Sequence, residues 1–180
     1  MTVPRSFKWC VFITLVLLGI IVLALWLDLR HQTPSVTIDT FSLPTSTNSK
    51  QHPDMYIGLS IKNPNKVYSI IYDYCAFTVN YSEDALGQTH DLVQPGFQQP
   101  KDKTTQVSDH VEADVPQWEA FLKATSNSSE VMLKVELKTG IRYQNLGHTS
   151  KKYNLKFHGR FNVGPDGKIS GKKKVKLQKE

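Results

Sequence analysis

A run of nineteen uncharged residues near the start of the chain constrains everything that follows it. It extends from Trp9 to Leu27 and reads WCVFITLVLLGIIVLALWL. As a helix rising about 1.5 Å per residue it would span about 28 Å, which is close to the roughly 30 Å hydrocarbon core of a bilayer. A helix that is apolar on every side has no polar face to offer water. The sequence therefore predicts a single transmembrane helix over residues 9–27.

The flanking charges favour a cytosolic amino terminus. Arg5 and Lys8 precede the run, and short cytosolic flanks carry the excess of Lys and Arg. A cleaved signal peptide would have a shorter apolar region and a small-residue cleavage site, which the exit ALWLDLRHQ lacks. We therefore interpret residues 9–27 as an uncleaved signal anchor, residues 1–8 as a cytosolic stub and residues 28–34 as an exit linker.

The remaining chain, about one domain in length, shows the alternation typical of half-buried strands. The apolar positions of the two clearest strands are Met55, Ile57, Leu59, Ile61 and Val131, Leu133, Val135, Leu137. One helix is predicted over residues 115–124, with Trp118, Phe121 and Leu122 on one face. The predicted fold class is all-β: residues 35–167 form an antiparallel β-sandwich of about seven strands, similar to immunoglobulin or fibronectin-III domains, with one short helix.

Local patterns divide these strands. Asn63-Pro64-Asn65 predicts a corner, residues 82–87 a turn, and residues 92–100 an irregular segment. Residues 68–81 predict one long strand, or two strands joined at a bulge. Alternation would place Tyr68, Tyr72 and Tyr74 on one face, either as packing or as an exposed aromatic stripe.

The two cysteines, Cys10 and Cys75, lie on opposite sides of the membrane in this topology and cannot pair. Cys75 is interpreted as a small buried residue, with an intermolecular disulfide as the alternative. Cys10 is either simply buried in the membrane or a site of palmitoylation at its cytosolic edge. Asn80-Tyr81-Ser82 and Asn127-Ser128-Ser129 match the acceptor motif for N-glycosylation, so Asn80 and Asn127 are candidate glycan sites.

The end of the chain, residues 168–180, is rich in lysine. Its cations are Lys168, Lys172, Lys173, Lys174, Lys176 and Lys179, and its one acid is Glu180, so it carries +5 of the chain's formal +6. A block of like charges is typical of a solvated, disordered end. The alternative is electrostatic contact with an anionic surface, either cell-wall pectin or anionic lipid. The topology keeps this tail away from nucleic acid.

No pattern indicates catalysis, a cofactor or a metal. The sequence lacks a Gly-x-Ser-x-Gly elbow, a P-loop and a dinucleotide fingerprint. Its six histidines, at 31, 52, 90, 110, 148 and 158, lack the spacing of a zinc site. We therefore predict that the protein is not an enzyme.

Several motifs occur in an order that resembles a known family. They are Asn63-Pro64-Asn65-Lys66, Ile71-Tyr72-Asp73, Pro95-Gly96-Phe97-Gln98-Gln99, Thr104-Thr105 and Ile141-Arg142-Tyr143. The chain resembles the plant late-embryogenesis-abundant group-two domain, and more narrowly the harpin-induced-like and non-race-specific disease-resistance-like membrane proteins. The resemblance implies a seven-stranded sandwich with one helix, an extracellular domain at the plasma membrane and a role in defence, without enzyme activity. The penultimate strand departs from the family in having His158 where a cysteine would pair with Cys75.

These inferences predict a non-enzymatic interaction protein of plant defence, anchored in the plasma membrane by one helix. Its extracellular domain would bind a protein partner or an anionic wall or membrane surface. The alternative is a stress-protective domain that binds lipid or another apolar ligand within the sandwich. Plasmodesmata and endomembranes are the alternative locations.

Overall fold

The computed structural model describes residues 5–28, 30–43, 54–127, 130–164, 166–171 and 174–180. The chain divides into two units, Met1–Gln32 and Thr33–Glu180. The first unit contains the helix α1 (Arg5–Asp28). The second contains the β-strands.

Helix α1 exposes apolar side chains around its surface. The large apolar residues described between Trp9 and Trp26 are all more than two fifths exposed. The predicted span over residues 9–27 also includes side chains, at 25 and 27, that lie outside the described residues. Within the part of the chain that the structure describes, no helix combines the length and the apolar character needed to cross a membrane.

The second unit is built from antiparallel strands and one helix. The described strands are β1 (Ser35–Ser42), β2 (Asp54–Lys62), β3 (Ser69–Tyr81), β4 (Asp84–Thr89), β5 (Phe97–Gln99), β6 (Thr104–Glu112), β7 (Val131–Asn145), β8 (His148–Thr149), β9 (Tyr153–Val163), β10 (Val175–Lys176) and β11 (Gln178–Lys179), and the helix is α2 (Val115–Asn127). The described residues thus form eleven strands rather than about seven. The excess comes from short strands, because two or three residues are too few to show a period of two.

The strands form two sheets. One has the order β10-β1-β2-β6; the other has the order β11-β9-β7-β3-β4, with β5 beside β3 and β8 beside β7. The pairs between these strands are antiparallel, which confirms the predicted antiparallel all-β class. The closer likeness to immunoglobulin or fibronectin-III sandwiches stays a prediction.

Both sheets contribute to one hydrophobic core. The alternating residues predicted for β2 and β7 are all buried in it. The rings of Phe41 on β1 and Phe161 on β9 meet edge to face with centroids 5.0 Å apart. From α2, Trp118 and Phe121 are buried, whereas Leu122 is 40% exposed. The predicted helix face is therefore right for two of its three residues.

The Asn63-Pro64-Asn65 corner contains a buried hydrogen-bond network. The Asn63 side-chain nitrogen donates to the carbonyl oxygens of Tyr68 at 2.9 Å and Pro100 at 3.0 Å. Its side-chain oxygen accepts from the backbone nitrogen of Asn65 at 3.0 Å. Both asparagines are buried. Because the side-chain amide satisfies backbone groups from three segments, it holds the corner together, and the predicted corner is confirmed.

Strand β3 contains the predicted bulge, and the bulge separates the tyrosines. Tyr72 pairs with Ile141 and Tyr74 with Gly140, so Asp73 is an extra residue opposite β7. The side chain of Tyr72 is buried in the core, whereas that of Tyr74 is half-exposed. The prediction that these tyrosines share one face is wrong, because an inserted residue reverses the alternation beyond it.

Two segments predicted as turn or irregular structure contain strands. The turn expected at residues 82–87 is a tight reversal in which Ser82 has a φ of 58°, and β4 begins at Asp84. The segment 92–100 includes β5, which pairs with β3. Both strands are rich in polar residues, and β4 also contains a glycine. They therefore lack the alternation of apolar residues by which strands are predicted.

Candidate anion-binding site at the C-terminal strands

The C-terminal segment 174–180 joins the edges of both sheets. Strand β10 pairs with β1, where Lys176 lies opposite Thr37. Strand β11 pairs with β9, where Gln178 lies opposite His158. Between them Leu177 is buried in the core. The prediction of a disordered end is therefore wrong for this segment. Burial of Leu177 attaches the segment to the core, and the surrounding lysines make this apolar residue hard to recognise in the sequence.

Two grooves lie on the surface beside this segment. The first, of about 450 Å³, is lined by His158, Gly159, Arg160, Val175, Lys176 and Gln178. The second, of about 490 Å³, is lined by Thr33, Pro34, Ser35, Phe157, Lys176, Leu177, Gln178 and Lys179. Lys176 and Gln178 belong to both linings. Among these described lining residues there are three basic side chains, Arg160, Lys176 and Lys179, and no carboxylate, so the lining is basic.

The cations of the first groove are free to meet a ligand. Within the described residues, neither Arg160 nor Lys176 has an ion-pair partner. Arg160 also lies directly opposite Lys134 in the β7–β9 register. Two cations facing each other across strands repel. In the second groove, the Lys179 ammonium lies 3.5 Å from the Thr33 hydroxyl.

Cations elsewhere on the same sheet are neutralised by acids. The Arg142 guanidinium donates to the Asp73 carboxylate at 2.6 and 2.9 Å. The Lys156 ammonium lies 2.9 Å from Glu180 and 3.4 Å from Glu136. The hydrogen bond to Glu180 and then the charge of Glu136 raise the pKa of Lys156. Arg142 and Lys156 therefore differ from the groove cations Arg160 and Lys176, for which the described residues provide no ion-pair partner.

Glu136 on β7, which forms ion pairs with Lys138 and Lys156, is held in its ionised form. Burial opposes the ionisation of Glu136, but the hydrogen bonds and charges of Lys138 and Lys156 outweigh it and lower its pKa. The Lys138 ammonium lies 3.1 Å from this carboxylate. Glu136 faces His158 in the register, so a negative charge borders the first groove without lining it.

The four described lysines of the predicted tail do not form one patch. Lys176 and Lys179 line the grooves. The Lys174 ammonium lies 3.2 Å from the Asp39 carboxylate. Lys168 pairs with Ser42 through the backbone in an isolated antiparallel β-bridge and lines neither groove. Lys172 and Lys173 lie outside the described residues. Sequence reasoning missed Arg160 as a member of the site, although its outward position in the alternation of β9 was readable.

The two candidate glycan sites lie in different elements. Asn80 is in β3, opposite Ala85 and Lys134, with a half-exposed side chain. Asn127 is the last residue of α2, which is longer than predicted, and the other two residues of its motif lie outside the described residues. Both sites stay predictions.

Both cysteines are free thiols in the described residues. Cys75 is fully buried, which confirms its interpretation as a small core residue and leaves no surface for a disulfide to another chain. Burial raises the pKa of its thiol to about 12, although the Thr139 hydroxyl acts in the opposite direction. Cys10 lies exposed on α1, and its palmitoylation stays a prediction.

The described residues offer no metal centre. No group of three or more His, Cys, Asp and Glu side chains among them is placed to hold an ion. The two grooves are superficial and mix charged with apolar lining, so they differ from the apolar interior pocket that the lipid-binding alternative requires.

Comparison with known proteins gives a consistent relationship. The family model described as Late embryogenesis abundant protein matches residues 58–165, which confirms the resemblance. Protein NDR1 of Arabidopsis thaliana is 26% identical over 170 residues, covering 89% of this chain and 77% of NDR1.

One solved structure shares the fold of the chain. A solution structure of an Arabidopsis thaliana protein is 13% identical and has a TM-score of 0.51, with 75% of this chain and 83% of that chain covered. A second solution structure, described as that of a late embryogenesis abundant (LEA) protein, is 14% identical with a TM-score of 0.41 and 75% coverage of each chain. At 13% identity the likeness to the first of these structures concerns the fold alone.

Proposed function

The chain belongs to the late embryogenesis abundant protein family, and from that premise we propose that it is a membrane-anchored binding protein of the plant stress or defence response. Its β-domain, Thr33–Glu180, lies on the non-cytosolic side of the plasma membrane and acts by binding rather than by catalysis. The similarity to Protein NDR1 of Arabidopsis thaliana over most of both chains supports a role in plants.

The observation that carries the anchoring is the apolar surface of α1. Its described large side chains from Trp9 to Trp26 are exposed, while the β-unit has a core of its own. A continuous apolar surface of this kind is stable in water only when another apolar medium covers it. The proposal takes in the complete uncharged run 9–27 of the sequence, of which the structure describes the side chains at 9–24 and 26.

The binding role is supported by the grooves beside the C-terminal strands. Arg160, Lys176 and Lys179 line them without an acid. A cleft lined by one sign of charge concentrates ligands of the opposite sign. We therefore assign the domain an anionic partner, met outside the cytosol.

Protease and deglycosidase treatment of intact cells that express the full chain with a C-terminal tag tests the topology. Protease should remove the tag from intact cells. In a separate sample without protease, deglycosylation should lower the mass of the chain. Asn80→Gln and Asn127→Gln variants identify which acceptor carries the glycan. A tag digested only after the plasma membrane is opened, without detergent, would place the domain in the cytosol and contradict the proposal.

Charged substitutions in α1 test the anchoring itself. Leu17→Arg with Ile21→Arg should move the chain out of the membrane fraction, because each arginine in a bilayer centre costs about 2.5–3.5 kcal/mol on insertion scales. Leu17→Ala with Ile21→Ala is the matched control and should leave the chain in the membrane. Equal membrane recovery of the two variants would contradict insertion of this segment.

A further inference from the structure

We propose that the two grooves beside β10 and β11 together bind one linear polyuronate, a sugar polymer with a carboxylate on successive residues. The inference rests on the proposed non-cytosolic position of the domain, and it adds the site and the chemical class of the partner. It differs from the predicted tail in assigning the contact to a folded surface that includes Arg160.

Charge complementarity is the first argument. The described lining contains the basic side chains of Arg160, Lys176 and Lys179 and no carboxylate. A guanidinium presents parallel donors that match both oxygens of a carboxylate. An anionic ligand in the first groove would therefore give Arg160 the partner that it lacks in the described fold.

The repulsion between Arg160 and Lys134 is the second argument. These two cations lie directly opposite each other on β9 and β7. Lys134 is only partly compensated, by a Glu83 carboxylate at 3.4 Å that is 89% exposed and therefore well screened. A carboxylate bound beside Arg160 would relieve this repulsion, which Glu83 compensates only in part.

The residues shared by the two linings are the third argument, and they favour a polymer. Lys176 and Gln178 line both grooves, so the two spaces adjoin along the same short segment. One carboxylate occupies a single groove, whereas simultaneous contact with Arg160, Lys176 and Lys179 requires several anionic groups on one ligand. Multivalent contact of this kind raises affinity without any new type of interaction.

The remaining lining suits a sugar better than a lipid surface. Gln178, Thr33 and Ser35 supply amide and hydroxyl groups for sugar hydroxyls, and Pro34 and Val175 supply apolar surface for the C–H faces of a ring. A flat bilayer meets protruding cations and has no need of a groove. Anionic lipid is therefore the alternative that the experiment must exclude.

The test uses the full chain in nanodiscs of neutral phosphatidylcholine, titrated with polygalacturonate at low and high salt. The companion ligands are monomeric galacturonate and a fully methyl-esterified polymer, and vesicles containing phosphatidylserine form the lipid arm. The groove variant is Arg160→Gln with Lys176→Gln and Lys179→Gln. The control variant has the same charge change at exposed Lys66, Lys101 and Lys103, none of which lines a groove.

Polygalacturonate should bind the unmodified chain, more weakly at high salt, and the groove variant should lose about tenfold in affinity. The control variant should lose less than about twofold, and the single substitution Lys176→Gln about threefold. The monomer and the esterified polymer should bind far more weakly than polygalacturonate.

Three results would overturn the inference. The first is an equal loss of affinity in the groove and control variants. The second is binding of the monomer as tight as that of the polymer. The third is groove-dependent binding to phosphatidylserine vesicles without binding to polygalacturonate. Because all arms use purified protein, failure here leaves the cellular topology test unaffected, so the two proposals fail separately.

Discussion

Leu177 fills the space that Gly159 leaves free on β9. A Cβ atom at Gly159 would lie 2.5 Å from Leu177 Cδ2 and 3.3 Å from Val135 Cγ2. The Leu177 backbone nitrogen donates to the carbonyl oxygen of Val36 at 2.9 Å. Leu177 therefore contacts the second sheet through its side chain and the first through its backbone, which makes it the attachment of the lysine-rich segment.

Gly159→Ala should destabilise the β-domain by about 1–3 kcal/mol, because the added methyl overlaps Leu177 in a packed core. Chemical denaturation of the full chain in detergent, followed by the fluorescence of tryptophan, measures the free energy of unfolding. The same substitution should also weaken polygalacturonate binding, since displacement of Leu177 moves the neighbouring Lys176. Unchanged stability would mean that the segment moves aside at no cost.

Leu177→Ala should cost about 2–5 kcal/mol of unfolding free energy, since it leaves a cavity beneath the segment. Leu146→Ala is the control, because Leu146 is 92% exposed, and it should change stability by less than about 0.5 kcal/mol. The double variant with Gly159→Ala should be destabilised by less than the sum of the two single effects, because the shortened side chain makes room for the methyl. Additive effects would contradict direct contact between these positions.

The attachment at Leu177 also shows which buried positions cannot be predicted from the sequence. Met55 to Ile61 and Val131 to Leu137 alternate over enough residues for the buried face to be assigned correctly. Val175-Lys176-Leu177 contains one alternation within a block of lysines, so charge dominates the pattern. The partners that make this segment ordered, Val36 and Gly159, are remote in sequence.

The bulge at Asp73 limits prediction in another way. Alternation can be followed along β3 only while each residue has one partner, and the extra residue reverses it between Tyr72 and Cys75. The sequence allowed a bulge within residues 68–81 but did not place it. The first groove could not be predicted from the sequence either. Arg160 and Lys176 come together only because the C-terminal segment pairs with the edges of both sheets.

The buried corner predicts a large effect of a small polar change. Asn63→Ala should destabilise the domain by about 2–4 kcal/mol, because it removes the buried hydrogen bonds from the Asn63 side chain to the Tyr68 and Pro100 carbonyls and from the Asn65 backbone nitrogen to the Asn63 side chain. Gln106→Ala, at an exposed position of β6, is the control and should stay within about 0.5 kcal/mol. Comparable denaturation midpoints for the two variants would show that water replaces the Asn63 amide.

The buried thiol predicts a pH dependence of stability. Burial raises the pKa of Cys75 from 9.0 to about 12, so the folded state holds this proton more tightly than the unfolded state. The resulting stabilisation is present in full below about pH 9 and is lost as the pH rises from about 9 towards about 12. Burial also raises the pKa of Tyr143, from 10.0 to about 12, so Cys75 is best isolated between pH 9 and 10.

Between pH 9 and 10 the unmodified chain should lose about 1 kcal/mol more unfolding free energy than Cys75→Ala, which has no thiol to titrate. The comparison concerns the change with pH, so the lower starting stability expected of the smaller side chain does not enter. Deprotonation of surface lysines acts equally on both chains and cancels. Parallel pH profiles in denaturant titrations would mean that the thiol reaches water in the folded protein. In that case a thiol-specific reagent would modify native Cys75 at the rate measured for the unfolded chain.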